Sequence, residues 1–241
     1  RSMNRNVSLC LLYTLAINIA SSLFGQVPLT AYVLLITKNA TGVPSVHGNT
    51  ADNNVAVGLL TGCQGVINLI LALPSGILAD RIGRDGLLKV ASIVLIIASV
   101  WMAFCLAYLR LHYSHAILYY SLLGAAALFG VFMGIATAPL DALFADSIES
   151  GARSKYYAWR SMLRNIGNTV GPLISLIVFA VLGNEWSEGE LLAVLYVGIA
   201  STCIPAFLLL CFRDDKSLGA ASEGLLPSEL RAQQQQQGQG Q

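Results

Sequence analysis

The sequence predicts an all-α membrane protein with six transmembrane helices. Low charge, long apolar segments and an uneven distribution of basic residues all indicate this fold class. Of the 241 residues, 55% are hydrophobic and 11% are charged, whereas soluble domains carry about 25% charged residues. The mean hydropathy is +0.65. This composition excludes an ordinary soluble domain.

A bilayer core about 30 Å thick is crossed by roughly 20 helical residues. Six apolar segments of the chain are long enough, and the first and fourth are long enough to tilt. They cover about Leu9–Ile36, Val55–Ala79, Leu87–Tyr108, Ala116–Ala145, Tyr157–Leu182 and Leu191–Phe212. We therefore predict a cytoplasmic segment over residues 1–8, a six-helix bundle over residues 9–212, and a disordered Gln-rich cytoplasmic tail over residues 213–241.

Basic residues predict the orientation, because Lys and Arg concentrate in cytoplasmic loops. Placing the N-terminus in the cytoplasm puts every one of the 14 Lys and Arg residues at that face except Lys38 and Arg110. We expect both termini to be cytoplasmic, in the plasma membrane or an endomembrane. Asn39, in Asn39-Ala40-Thr41 of the first outer loop, is then a candidate glycosylation site.

Several classes of function lack their sequence signals. The five cysteines lie in or beside apolar segments without a CxxC spacing, which favours small buried apolar side chains over metal ligands or disulfides. There is no P-loop and no nucleophile–base pattern. No basic block indicates nucleic acid. We expect no enzyme activity, no cofactor and no metal.

Polar residues recur at helical spacing within the first two segments. A polar stripe facing lipid is costly, so these side chains should face the bundle interior or a water-filled cavity. The candidates for lining a substrate site are Asn18, Ser22, Gln26, Gln64 and Asn68. Hydrogen bonding between helices is the alternative interpretation.

Charged residues also lie inside the fourth and fifth segments. Asp141 precedes the end of the fourth segment, and Arg160 and Arg164 follow the start of the fifth. Intramembrane charges are costly unless they are paired, so we expect Asp141 to pair with Arg164. The pair is either a structural link between helices or a proton-coupling site.

Three pairs of glycines are spaced four residues apart, which allows helix backbones to approach closely. We expect each pair to be a helix-packing surface. The pairs are Gly58 and Gly62, Gly130 and Gly134, and Gly167 and Gly171.

The connection between the second and third segments is unusually short and charged. It reads Gly76-Ile77-Leu78-Ala79-Asp80-Arg81-Ile82-Gly83-Arg84-Asp85-Gly86. This stretch resembles the signature loop G-x-L-A-D-R-x-G-R-[RK] of the major facilitator superfamily, with Asp85 in place of the last basic residue. Ala142–Asp146 followed by Arg153 resembles the connection between the fourth and fifth helices of that family.

The fifth segment resembles part of the antiporter motif G-x-x-x-G-P-x-x-G-G of the same family. Gly167, Gly171 and Pro172 match it, and Ser175 and Leu176 stand where the motif ends in glycines. The chain therefore weakly resembles the drug/proton antiporter subgroup.

The resemblance implies a six-helix N-terminal half of a major facilitator fold, built as two inverted three-helix repeats. It also implies a conformational switch in which Asp80 faces the opposite half and Arg84 pairs with the acidic end of the fourth helix. The switch residues are Gly76, Asp80, Arg81, Gly83, Arg84 and Asp146.

The function implied is secondary active transport of a small solute by alternating access, as a symporter or antiporter with proton coupling as one option. Because a complete member of the family has twelve spans, the resemblance implies an N-terminal half whose partner is a C-terminal six-helix half or a second copy. Residue 1 is Arg, so we also expect the sequence to be a fragment. One alternative is a transporter-like sensor, receptor or assembly partner that does not transport. The other is a six-span half that dimerises into a transporter.

Overall fold

The computed structural model describes residues 4–25, 27–37, 54–182 and 188–214. Over these residues the chain is helical and contains no strand, as the sequence predicts. Six helical segments are long and apolar enough to cross a membrane, and we number them span 1 to span 6. They are Arg5–Thr37, Asn54–Ile82, Arg84–His112, His115–Asp146, Arg153–Leu182 and Glu188–Leu210.

Most helices extend beyond the predicted apolar segments into charged residues. Span 3 begins at Arg84 rather than Leu87, and span 5 begins at Arg153 rather than Tyr157. Hydropathy detects only the part of a helix that lies in hydrocarbon, whereas backbone hydrogen bonding continues into the charged turns at its ends. The spans were therefore predicted in the correct number and order. Their predicted ends differ from the observed ends by up to about one turn, and only the end of span 6 was predicted too long, at Phe212 instead of Leu210.

Three spans are interrupted. Span 1 consists of the helices Arg5–Phe24 and Val27–Thr37, and Pro28 lies in the first turn of the second helix, where its missing N–H is tolerated. Span 6 consists of Glu188–Ser201 and Cys203–Leu210. In span 3 the helix Arg84–Phe104 passes through a π-helical turn, Cys105–Leu109, before the last turn, Arg110–His112.

The spans pack in related pairs. Span 1 packs against span 5 and span 2 against span 4, while span 3 contacts span 4 and span 6 contacts span 1. If spans 1, 2 and 3 are matched with spans 4, 5 and 6, the contact of spans 1 and 5 corresponds to that of spans 4 and 2. The contact of spans 3 and 4 likewise corresponds to that of spans 6 and 1. This arrangement is consistent with two inverted three-helix repeats.

Glycines allow two pairs of helices to approach closely. A Cβ built on Gly130 of span 4 would lie 2.6 Å from the carbonyl oxygen of Gln64 in span 2. A Cβ built on Gly167 of span 5 would lie 2.8 Å from Cβ of Asn18 in span 1. Without a hydrophobic driving force between helices in lipid, such close backbone approach is a principal source of helix association.

The prediction that every glycine pair packs against a helix is confirmed for two pairs and is wrong for the third. Gly134 and Gly171 extend the contacts of Gly130 and Gly167 by one turn. By contrast, no atom of the described residues lies within 4 Å of a Cβ built on Gly58 or Gly62. Spacing alone cannot distinguish these pairs, since it places two glycines on one helix face without saying what that face meets.

Polar groups join span 3 to the break in span 6. Ser92 Oγ donates a hydrogen bond to the carbonyl oxygen of Ala206 over 2.7 Å, and the hydroxyls of Ser99 and Thr202 lie 2.8 Å apart. Pro205 has no N–H to continue the helix ladder at this point. The hydroxyl contacts therefore link span 3 to the part of span 6 where backbone bonding is interrupted.

Spans 2 and 5 leave most of their surface uncovered. Only 11% and 17% of their most apolar windows are buried, against 44–50% for the other spans. Leu73 and Val181 are among the most exposed side chains on these spans. The bundle thus has an uncovered side formed by spans 2 and 5.

We predict that Gly130→Ala destabilises the bundle by about 1–3 kcal/mol, because the new methyl group would overlap the backbone of Gln64 and force the helices apart. Thermal unfolding of the purified protein in detergent measures the effect. Gly62→Ala is the matched control, since its methyl group would enter open space and Ala favours helix over Gly. Equal melting temperatures for the two variants would contradict the packing assignment.

Candidate functional site

The connection between spans 2 and 3 is a single residue. Span 2 ends at Ile82, span 3 begins at Arg84, and Gly83 between them has φ +92° and ψ 141°. This region of backbone conformation is accessible almost only to glycine. The Gly83 N–H donates to Ala79 O over 3.0 Å and its carbonyl accepts from Leu87 N over 3.2 Å, so the turn keeps both of its backbone groups bonded.

An ion pair joins this turn to the end of span 4. Arg84 Nη1 donates a hydrogen bond to Asp146 Oδ2, and the two side chains are 26% and 35% exposed. Arg84 is the first residue of its helix and Asp146 the last of its own, positions where each charge opposes the helix dipole. The attraction between Arg84 and Asp146 therefore offsets the unfavourable interaction of each charge with its own helix dipole.

The other signature residues are exposed beside this pair. Asp80 and Arg81 lie in the last turn of span 2 and are exposed, and Asp80 makes no ion pair with any described residue. No atom of the described residues lies within 4 Å of a Cβ built on Gly76. Asp85, where the signature has a basic residue, instead pairs with Lys89 over 2.8 Å.

A second ion pair lies deeper, between spans 4 and 5. Arg160 Nη2 lies 2.5 Å from Asp141 Oδ1. The Arg160 side chain is 11% exposed, and its guanidinium carbon lies 5.0 Å from the centroid of the Phe144 ring. Burial against an aromatic face and a carboxylate strengthens the electrostatic attraction relative to an exposed pair.

Spans 1, 2, 4 and 5 enclose a cavity of about 820 Å³. Its lining includes the amides of Asn18, Gln64 and Asn68, together with the guanidinium groups of Arg160 and Arg164 in span 5. Hydroxyl groups and apolar side chains complete the wall. They are Tyr13, Thr14, Ser21, Thr61, Thr137, Phe24, Phe129, Phe132 and Met133 among others.

Comparison with known families gives one assignment. A family profile described as Major Facilitator Superfamily matches residues 8–232, which is most of the chain. The chain belongs to the Major Facilitator Superfamily. A search of curated proteins gave no match. Membership indicates an integral multi-pass membrane protein of a transporter family, in agreement with the six apolar spans.

The structure contains the contact between Arg84 and Asp146 that the resemblance to this superfamily implies. The two residues are 62 positions apart in the chain. The contact that we predicted from depth alone is wrong: Asp141 pairs with Arg160, and not with Arg164. Spans 4 and 5 follow each other in the chain through a short connection. Asp141 lies five residues before the end of span 4, and Arg160 lies seven residues after the start of span 5. Arg164 is about one turn further from that connection.

Three of the four substrate-lining candidates that the structure describes lie at the cavity. Asn18, Gln64 and Asn68 line it. Ser22 does not: its Oγ donates to Ile19 O over 2.9 Å and contacts Gly167 O over 3.3 Å, against span 5. Ser22 is therefore a helix-packing residue. Gln26 and Asn39, and the tail beyond residue 214, lie outside the described residues.

The helix-five motif lies against span 1, next to this cavity. Gly167 and Gly171 are buried at the contact with Asn18 and Ser22, while Pro172 lies inside the helix and is exposed. In this superfamily member the motif thus sets the distance between spans 1 and 5 at the depth of the cavity.

Span 4 also lines the cavity, although none of its residues was among the predicted lining residues. Ala126, Phe129, Met133, Ala136 and Leu140 line the wall at intervals of three and four residues, which place them on one helix face. Thr137 lies beside them. The sequence shows this periodicity. It does not show whether an apolar face of an apolar helix contacts protein, lipid or a substrate.

We predict that Gly83→Ala costs about 1–3 kcal/mol of stability, because a Cβ at this positive φ is strained. Thermal unfolding in detergent measures the loss. Gly151→Ala, in the connection between spans 4 and 5, is the control, since its Cβ meets no described atom within 4 Å and its φ is not positive. A Gly83→Ala protein as stable as this control would show that the turn tolerates a side chain.

Proposed function

We propose that this chain forms the six-span N-terminal unit of a secondary active transporter. The unit moves a small solute across the bilayer by alternating access, with the solute bound in the cavity among spans 1, 2, 4 and 5. The cavity supports this proposal more than any other feature: it lies between the two three-span groups, carries amides from spans 1 and 2, and has an ion pair at one end. Sites at the interface of such repeats are typical of transporters.

A second six-span unit covers the exposed sides of spans 2 and 5. These are the least buried spans and both border the cavity. A C-terminal half or a second copy of the chain would each supply this cover, and rocking of the two units would expose the cavity to one side and then the other. Both termini of the chain are cytoplasmic in this arrangement, as the basic residues indicate.

The pair of Arg84 and Asp146 acts as part of the switch between the two states. A partly exposed pair contributes about 0–1 kcal/mol, and the two states of such a protein differ by only a few kcal/mol. Asp80, Arg81 and Gly76 lie beside the pair on the uncovered side of the bundle. They contact the second unit when the cytoplasmic side is closed.

The transport proposal is tested by reconstituting the purified protein in liposomes. A panel of labelled sugars, amino acids and amphiphilic compounds is assayed for uptake with and without a pH gradient. Saturable uptake that is absent from empty liposomes supports transport. Saturable binding without uptake of any compound, in either orientation of the gradient, would contradict transport by copies of this chain alone and favour a sensor or receptor.

We predict that Arg84→Asp slows uptake by on the order of tenfold, because it places a second carboxylate beside Asp146. The double variant Arg84→Asp, Asp146→Arg should recover uptake. It should also melt at or above the temperature of the unmodified protein, because the exchanged charges now favour both helix dipoles.

Lys89→Gln is the control for this charge exchange, because it breaks an exposed pair on the same helix and should leave uptake nearly unchanged. A double variant as slow as Arg84→Asp alone would contradict a role for the pairing itself.

Proton coupling is assigned to Asp141, whose charge is paired with Arg160 beside the cavity. We predict that Asp141→Asn abolishes uptake driven by a pH gradient and leaves exchange of internal for external solute intact. Glu149→Gln, an exposed carboxylate in the connection to span 5, should retain both activities. Retained pH-driven uptake in Asp141→Asn would remove Asp141 from the coupling step.

A further inference from the structure

The charges that line the cavity are unbalanced. Arg160 and Arg164 are the charged residues of the lining, and no acidic side chain accompanies them among the described residues that line it. Arg160 is neutralised by Asp141. Arg164 has no ion pair with any residue in the described ranges. One positive charge in the cavity therefore has no counter-ion among the residues that the structure describes.

Arg164 is also deep in its helix. It lies near the middle of span 5, Arg153–Leu182, within about 5 Å of the helix midpoint along the axis. It shares a helix face with Arg160, four residues earlier, and with Gly167, which contacts span 1 at Asn18. A cation at this depth is normally matched by an anionic group or a water-filled path, and in this cavity no protein carboxylate among the described lining residues supplies one.

The other end of the cavity is aromatic. The rings of Phe24 and Phe129 lie with their centroids 4.9 Å apart, and both line the cavity with Phe132. Spans 1 and 5 are in register with Asn18 beside Gly167 and Ser22 beside Gly171. By this register Arg164 lies level with Leu15, and Phe24 lies about 13 Å further along the axis.

We propose that the cavity selects a small amphipathic organic anion. Its carboxylate pairs with the Arg164 guanidinium, its apolar part lies against Phe24 and Phe129, and the amides of Asn18, Gln64 and Asn68 line the space between. Guanidinium groups bind carboxylates through paired, charge-assisted hydrogen bonds, while a cationic solute would meet uncompensated like charge. This inference rests on the proposed function, because it concerns the substrate class of the same cavity.

The test uses three probes that share a ring and a linker and differ in charge: 4-phenylbutyrate, 4-phenylbutanamide and 4-phenylbutylamine. Equilibrium binding to the full chain in lipid nanodiscs, corrected with empty nanodiscs, gives the three affinities. We expect the anion to bind at least about tenfold more tightly than the amide, and the amine to bind most weakly. Equal affinities, a preference for the amine, or no saturable binding of the anion would each overturn the inference.

Variants assign the selectivity to Arg164. Arg164→Gln should abolish the preference for the anion, and Arg164→Lys should retain part of it. Lys155→Gln is the matched control, because it removes a positive charge from the same helix, where Lys155 lies near the Trp159 ring, outside the cavity; it should keep the full preference. An anion preference that survives in Arg164→Gln overturns the assignment, and the elution profile from size exclusion reports whether each variant is folded.

Uptake of the same probes into liposomes distinguishes this inference from the proposed function. Selective binding of the anion without uptake would contradict transport and leave the anion site standing. Uptake of the amide or amine without preference for the anion would support transport and overturn the anion site. If Arg164→Gln does not fold, the comparison of anion and amide on the unmodified protein, together with Arg164→Lys, still decides the matter.

Discussion

Close backbone contact within two pairs of helices is the constraint on which the rest of the bundle depends. Span 5 approaches span 1 at Gly167 and Gly171, and span 4 approaches span 2 at Gly130 and Gly134. In hydrocarbon, helices gain little from burying apolar side chains, so contact of this kind carries much of their association. The cavity lies between these two tight pairs.

The two ion pairs connect the same elements at different depths. Arg84 and Asp146 join spans 3 and 4 at the helix ends, while Asp141 and Arg160 join spans 4 and 5 about a turn further in. Span 4 therefore carries one acidic partner for span 3 and another for span 5. Its Asp146 and Asp141 tie the helix to both sides of the bundle, and any movement of span 4 relative to spans 3 and 5 has to break or carry along one of the two pairs.

The placement of charge also separates structural from chemical roles. Arg160 forms an ion pair with Asp141 and lies against the Phe144 ring, so its charge is neutralised within the bundle. Arg164, one turn deeper, lines the cavity without a partner in the described part of the chain. Arg160 and Arg164 lie on one face of the same helix, but only Arg160 has a carboxylate partner among the described residues. The guanidinium of Arg164 is therefore the one that can pair with an anionic ligand.

The sequence by itself determined the number of spans, their order and the signature turn, because each depends on local properties: apolar length, and a glycine where φ must be positive. The contact of Arg84 with Asp146 followed from resemblance to a family. Tertiary structure decided which groups meet. Arg160 rather than Arg164 pairs with Asp141, and Ser22 packs against a helix rather than lining the cavity. Gly58 and Gly62 face no other described helix. Periodicity assigns a residue to a helix face, but only the packing of one helix on another determines what that face contacts.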